Sequence, residues 1–418
     1  MNLEELQRLL DPEAQSVIAL HHSDDPAVFA MRFHGHKELP VRALAEQLAC
    51  RQKAAKKLPY LSQYDLLYTP LALEQASGEL TAEYKASFLS GKRVIDLSGG
   101  LGVDSMSLSR VFQEVVYCER DPLLCGLFQH NLKQCGIFNV QVQHAESIDM
   151  LSSYPDDFFD WIFVDPARRE KGRRSIGLEV ASPDVVAFHE ILLRKAERVC
   201  IKASPALELS GLKKLLPTLC SIIVVSVDRE CKEVLLLLYR EALQKPVTVK
   251  AVCLSSASDA VTEVFGDGDI EKKIAPSVKK YFYVPDPAVI KAKLTPALAR
   301  DSGFEFVNST VDYLTSDRLV EAFPGKTFRL IECVLYKPKT FRAFLEHHDI
   351  GGASIQRRDF PLSAEELRKK YRLLESDKEF LFFTRNHAGR PVAIFALRCF
   401  PSDAKVPFAQ DRNAGPEC

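Results

Sequence analysis

The 418-residue sequence contains no hydrophobic run long enough to cross a bilayer; its longest apolar stretches, such as residues 234–239, are strand-length. It also lacks any Cys-x-x-Cys pair. Eleven cysteines, an odd number, are scattered along the chain, which points to buried thiols and away from metal binding or a disulfide framework. Charge of either sign is not in excess: 55 Lys and Arg stand against 56 Asp and Glu, and the net charge of −1 offers no bulk attraction to nucleic acid. There is no internal repeat and no low-complexity tract. The first residues, Met1-Asn-Leu-Glu-Glu-Leu6, are acidic and are not followed by an apolar segment, so a secretory signal is not expected and the expected compartment is the cytoplasm. What remains, 46% hydrophobic and 27% charged, is the balance of a globular protein long enough for two or three domains.

The chain is organised around residues 94–104, Val-Ile-Asp-Leu-Ser-Gly-Gly-Leu-Gly-Val-Asp. An apolar strand closes on Asp96, the small residues Ser98, Gly99, Gly100 and Gly102 form a tight turn, and helical spacing follows from Ser105. Such a unit lets a nucleotide-like ligand approach the backbone at a helix start. Dinucleotide fingerprints place their acid only on the next strand. Here Asp96 precedes the glycines and Glu119 ends the second strand 23 positions later, which fits S-adenosylmethionine (SAM) better than NAD. Glu119 is placed to accept hydrogen bonds from both ribose hydroxyls, and Glu146, after the third strand, to meet the adenine edge or hold its loop. Gly100 and Gly102 let the backbone pass the methionyl part without a Cβ. Ser98 replaces the first glycine of the commonest pattern.

From Gly91 to about Arg240, strands and helices alternate, the sign of a doubly wound α/β sheet. Strands are expected over residues 94–97, 114–118, 139–143, 159–164 and 198–203, with a closing hairpin at 221–227 and 233–239. Helices are expected over 122–134, 185–196 and 207–216. The count matches the Rossmann-like seven-stranded sheet of class I methyltransferases. Residues 1 to about 90 read as mainly helical. Beyond 246, additional β structure, a small module and an α+β region from about residue 328 are expected, with Ser363 and Glu366 forming a capping box. Residues 407–418 read as a disordered tail.

Asp165-Pro166-Ala167-Arg168 occupies the place of the Asp/Asn-Pro-Pro-aromatic motif of amino-methyltransferases. The Asp165 side chain and the Pro166 carbonyl keep the capacity to accept hydrogen bonds from a target NH2. Arg168 stands in place of the stacking aromatic and can stack on a base or grip a phosphate. Lys202-Ala203-Ser204-Pro205 carries alanine where 5-methyluridine methyltransferases need a cysteine nucleophile, which excludes pyrimidine C5 chemistry. A ribose alternative rests on Lys85, Asp165, Lys202 and Glu233, whose order resembles the Lys-Asp-Lys-Glu tetrad of 2′-O-ribose methyltransferases, where a lysine of lowered pKa deprotonates the hydroxyl. Three basic clusters, Arg51–Lys57, Arg168–Arg174 and Arg357–Arg372, favour a polyanionic partner.

These segments resemble a bacterial family of class I SAM-dependent methyltransferases with a C-terminal THUMP-like domain. The resemblance lies in Arg51-Gln-Lys-Ala-Ala-Lys-Lys-Leu-Pro59, Leu73-Glu-Gln-Ala-Ser-Gly-Glu-Leu-Thr-Ala-Glu-Tyr-Lys85, Asp96-Leu-Ser-Gly-Gly-Leu-Gly102, Asp165-Pro-Ala-Arg-Arg169, Glu230-Cys-Lys-Glu233, Arg357-Arg-Asp-Phe-Pro361 and Leu367-Arg-Lys-Lys370. It implies a helical region at 1–90, a methyltransferase domain at 91–245, a β extension with a small ferredoxin-like module at 246–326, a THUMP-like domain at 327–402 and a tail at 403–418. It further implies that Gln75, Thr81 and Lys85 lie near the cofactor; Gly78 stands where a second serine is expected. The activity expected is methylation of a base nitrogen in structured RNA, tRNA or rRNA. The alternatives are a ribose 2′-O or small-molecule acceptor, or a non-catalytic RNA-binding protein that keeps its SAM pocket. No metal and no membrane are expected.

Overall fold

The computed structural model describes residues 1–399 apart from 37, 169–176, 179–180, 243–245 and 267–269. They divide into two units, residues 1–222 with 232–247, and residues 223–231 with 248 onwards. Residues 169–174 of the basic cluster expected at Arg168–Arg174, and the tail expected at 403–418, therefore lie outside the described residues. No described helix is long and apolar enough to cross a membrane.

The first unit opens with α1 (Leu3–Leu9), α2 (Pro12–Leu20), α3 (Pro26–Arg32), α4 (Val41–Lys57), α5 (Pro70–Gln75) and α6 (Glu79–Phe88). Local chemistry sets several starts: Asn2 and Glu5 form a capping box, Asp25 accepts from Ala27 N and Val28 N, and Thr69 accepts from Ala72 N. The apolar faces of these helices, including Leu6, Phe29, Leu44 and Leu48, join Leu101, Met106, Tyr117 and Phe128 in one buried cluster. Each fully buried leucine or phenylalanine there contributes about 1.5–3 kcal/mol. The helical region is thus packed against the glycine turn and the helices beside it.

The sheet strands of this unit are β1 (Gly91–Asp96), β2 (Phe112–Glu119), β3 (Val140–His144), β4 (Phe159–Val164), β7 (Ala196–Ala203) and most of β9 (Glu230–Tyr239), with the first residues of β8 (Leu219–Val227), whose remainder from residue 223 belongs to the second unit. A two-residue pair, β5 (Ala167–Arg168) and β6 (Ala181–Ser182), lies apart from them. Within a nine-stranded sheet the sheet strands stand in the order β8-β9-β7-β4-β1-β2-β3. β1 to β4 and β7 pair in parallel, and β9 runs antiparallel to β7. This is the class I methyltransferase sheet, and the buried runs of β1, β4 and β7 are apolar because helices cover both faces. The helices are α7 (Val103–Leu108), α8 (Pro122–Gln134), α9 (Ser147–Ser153), α10 (His189–Lys195) and α11 (Leu212–Leu215).

Three local readings change. The helix expected over 185–196 starts only at His189, because Asp184 accepts from Val186 N and Ala187 N and holds residues 185–188 in turns. The helix expected over 207–216 shrinks to α11: Glu208 bonds both Ser210 N and Oγ, and Gly211 takes φ +78°, which interrupts helical geometry. α9 follows Glu146, a helix that the sequence reading did not name.

The second unit contains the antiparallel pair β10 (Thr248–Ser255) and β11 (Ser258–Phe265), and a seven-stranded sheet. That sheet is built from β12 (Tyr281–Pro285), β13 (Glu305–Phe306), β14 (Leu314–Ser316), β15 (Gly325–Leu335), β16 (Ser354–Arg357), β17 (Glu379–Arg385) and β18 (Pro391–Arg398), in the order β13-β14-β12-β15-β18-β17-β16. Its helices are α12 (Pro287–Lys291), α13 (Thr295–Ser302), α14 (Pro338–His347) and α15 (Ala364–Tyr371). The capping box at Ser363 and Glu366 is formed. The boundary expected between residues 326 and 327 falls inside β15, and one sheet runs across it: Phe282 of β12 pairs with Phe328 of β15, and both pack on Phe382.

Candidate active site

At the C-terminal end of β1 the chain turns through Leu97–Gly102 into α7. Gly102 has φ +82°, and a Cβ added there would lie 2.0 Å from the Phe128 ring. Phe128 in turn stacks on Tyr117 at 4.1 Å, and Tyr117 Oη donates to Gly100 O at 2.7 Å. The turn is therefore pressed against the stacked Tyr117 and Phe128 rings of the buried cluster. On its other side Gly100 (φ +55°) is open: an added Cβ there would meet only Ser98 O, at 3.7 Å. Glu119, at the end of β2, accepts from Gly100 N and Asp121 N, both at 2.9 Å. Its carboxylate is thus held at the rim of the turn with lone pairs to spare for a diol.

Asp96 is fully buried. It accepts from Ser98 N at 3.0 Å, from Ser98 Oγ at 3.1 Å and from Ser105 Oγ at 2.6 Å. Burial pushes its carboxyl up to about 7, against those hydrogen bonds, and the neighbouring Asp104 adds to the rise. Ser98 Oγ also accepts from Asp165 N at 2.6 Å. The first strand's acid and the fourth strand's motif are thereby connected.

Beyond Asp165 lies a buried charge network. Lys202, at the end of β7, is ion-paired to Asp165 and donates to Ser77 Oγ at 3.1 Å. Ser77 donates to Asp104 Oδ2 at 2.6 Å. Lys85, on α6 and 1% exposed, pairs with Asp104 at 3.2 Å and with both oxygens of Glu233 on β9, at 2.7 and 2.9 Å. Burial alone would lower both lysines, but the carboxylates outweigh it: Asp104 and Glu233 raise Lys85, and Asp165, Asp104 and Glu233 raise Lys202. Asp104 is held low, because Lys85, Lys202 and Ser77 overcome its desolvation. Two cations therefore face three carboxylates.

The structure brings together Asp165, Lys202, Glu233, Lys85, Asp96, Ser98, Gly100, Gly102 and Glu119. It leaves others outside this constellation. Gln75 and Glu146 are exposed, and Glu146 only precedes α9 without a side-chain cap. Thr81 is buried and donates to Gly78 O at 2.9 Å, a bond within its own helix start. Pro166 follows Asp165 before β5, and the Arg168 side chain is outside the described residues. Ser77 and Asp104 were missed. Asp104 could have been read as an acid on the inward side of a short apolar helix, and Ser77 lies within the stretch 73–85 already singled out. The lysine of lowered pKa anticipated for a ribose acceptor is not found at Lys202, because Asp165, Asp104 and Glu233 together hold its proton on against burial.

The basic clusters at Arg51–Lys57 and Arg357–Arg372 separate on folding. Arg51 pairs with Asp65, and Lys57 donates to Leu73 O and Glu74 O, while Lys53 and Lys56 are exposed. In the second unit Arg357 donates to Phe360 O, Arg358 lies over the Tyr313 ring and Arg368 pairs with Glu375; Lys369 and Lys370 are exposed.

Residues 325–398 match the family described as THUMP domain-like, and residues 77–182 match Conserved hypothetical protein 95. The chain is 27% identical over 380 residues to an uncharacterised S-adenosylmethionine-dependent methyltransferase known from two strains of Mycobacterium tuberculosis, covering 86% of this chain and 97% of that protein. It superposes with a TM-score of 0.81 and 25% identity on the crystal structure of a protein provisionally called a methyltransferase from Porphyromonas gingivalis W83, covering 95% of this chain and 98% of the other. The open Gly100 face, the Glu119 carboxylate at its rim and the class I sheet fit SAM. The chain is similar to the class I SAM-dependent methyltransferases that carry a C-terminal THUMP-like domain, and it is an enzyme using SAM as its methyl donor.

Proposed function

We propose that this enzyme methylates a base nitrogen in structured RNA, with Asp165 and the Pro166 carbonyl accepting from the target amine. The observation that carries this reading is the fixation of Asp165 beside the cofactor turn. Its amide is held by Ser98, one carboxylate oxygen is ion-paired to Lys202, and its side chain remains 38% exposed. RNA is supported by the THUMP-like match over 325–398, an argument from fold analogy.

In this reading Gly100 and Gly102 pass the methionyl part, Glu119 holds the ribose hydroxyls, and Asp96, Thr81 and Lys85 order the surrounding wall, with Gln75 and Glu146 at its margin. SAM, when bound, supplies an electrophilic methyl group on a sulfonium. The Asp165 carboxylate and the Pro166 carbonyl orient the acceptor NH2 so that its lone pair faces that methyl. Asp165 then receives the proton released by the methylated amine and passes it to water. Alignment and exclusion of water do most of the work. A nitrogen acceptor needs no base before attack, which suits a network whose lysines are held protonated.

One observation favours a second reading, a ribose 2′-hydroxyl: Lys85, Asp165, Lys202 and Glu233 do assemble. The protonated state that Asp165, Asp104 and Glu233 impose on Lys202 weighs against it, since a hydroxyl acceptor needs a neutral lysine as base. Mass spectrometry of nucleosides from RNA of a deletion strain and its parent separates the two as base-methylated or 2′-O-methylated product. Asp165→Ala should abolish methyl transfer and leave SAM binding by calorimetry unchanged; retained turnover would rule out its role.

A further inference from the structure

We infer that Ser98 is a positioning residue for the acceptor side of the reaction, and not a small stand-in for a cofactor-facing glycine. This inference rests on the reading of Asp165 as the group that holds the acceptor.

Main-chain pairing between β1 and β4 runs from Val94 opposite Trp161 to Asp96 opposite Phe163, and ends with Leu97 N donating to Phe163 O at 3.0 Å. There the two backbones part. The next connection is made by a side chain: Ser98 Oγ accepts from Asp165 N at 2.6 Å while donating to Asp96 Oδ1 at 3.1 Å. A serine hydroxyl has one hydrogen and two lone pairs, so these two bonds fix its rotor. Pro166 has no N–H, which makes the Asp165 amide the only backbone donor of the Asp-Pro pair.

The bonds also close a ring. Ser105 holds Asp96, Asp96 holds Ser98, Ser98 holds Asp165, Asp165 holds Lys202, Lys202 bonds Ser77, and Ser77 bonds Asp104, which is next to Ser105 on α7. Ser98 is the link where cofactor turn and acceptor motif meet. Glycine at this position leaves the ring open and the Asp165 amide unheld, while Ser105 and the residue-98 amide still hold Asp96.

The test compares Ser98→Gly, Ser98→Ala and Ser98→Thr in the full-length protein. Amide hydrogen exchange at Asp165, which needs no acceptor, should accelerate on the order of tenfold in the glycine and alanine variants and stay protected in the threonine variant. SAM affinity by calorimetry should change less than about twofold. Transfer of labelled methyl from SAM to total RNA of a deletion strain should lose kcat by roughly tenfold to a hundredfold, with rescue by threonine. Unaltered exchange at Asp165, or Ser98→Gly with full kcat, would overturn the inference. Asp165→Ala separates the two failures. If it keeps turnover, the acceptor reading falls; if it is inactive while Ser98→Gly is fully active, only the role of Ser98 falls. A purely structural role would lower the melting temperature and SAM affinity of all three variants together and would equally refute the proposal.

Discussion

Gly102 shows how little freedom single positions of the turn retain. Its positive φ disfavours any side chain, and a Cβ would overlap the Phe128 ring. Gly102→Ala is expected to cost at least about 2 kcal/mol in denaturant unfolding and to weaken SAM binding in parallel. Asp96 carries a pH signature. Its carboxyl stands at about 7 when folded against 3.8 as a free side chain. Between those limits the folded chain keeps a proton that the unfolded chain has released. The group therefore disfavours folding increasingly as pH rises through that window, and the effect levels off above it. Thermal melts of Asp96→Asn and wild type should accordingly shift in the variant's favour between pH 5 and pH 8. A constant difference across that range would contradict the raised value.

At the scale of elements, the network joins α6, α7, β4, β7 and β9 through charges that share little contact with water. Removing one member of a buried pair leaves the other uncompensated. Lys85→Met should destabilise by about 3–5 kcal/mol in urea unfolding, and Lys85→Met combined with Glu233→Leu should recover part of that loss. Glu119→Ala releases both Gly100 N and Asp121 N from their acceptor and should weaken SAM binding by about tenfold, read by calorimetry. Elements were legible where their signals are local. The strand ending on Asp96, the glycine turn and the capping box at Ser363 follow from short-range sterics and hydrogen bonding. The helix expected at 207–216 failed because Glu208 and Ser210 satisfy each other in a turn and Gly211 takes a left-handed conformation, a competition that apolar spacing does not register.

For the whole molecule, each unit has its own core, the first around the N-terminal helices and the class I sheet, the second around Phe282, Phe328 and Phe382. The first and third charge clusters seen in sequence do not survive as clusters, since Arg51, Lys57, Arg357, Arg358 and Arg368 are engaged internally. The residues left for a polyanion on α15 are Lys369 and Lys370. Reversing both to Glu should weaken RNA binding and reduce the slope of log affinity against log salt by up to about two. An unchanged slope would remove α15 from the RNA-binding surface.

The identity of the methyl donor was already determined by sequence alone, because a strand, a glycine turn and the acid on the next strand lie within about 25 residues and obey local rules. Assembly of the acceptor site was decided only by tertiary structure. Lys85 meets Glu233 across 148 positions and Ser98 meets Asp165 across 67, and Asp104 and Ser77 enter only once these groups are folded together. Burial is the physical reason: charges that would be solvated and independent along the chain become mutually dependent when water is removed, and that dependence has no local pattern.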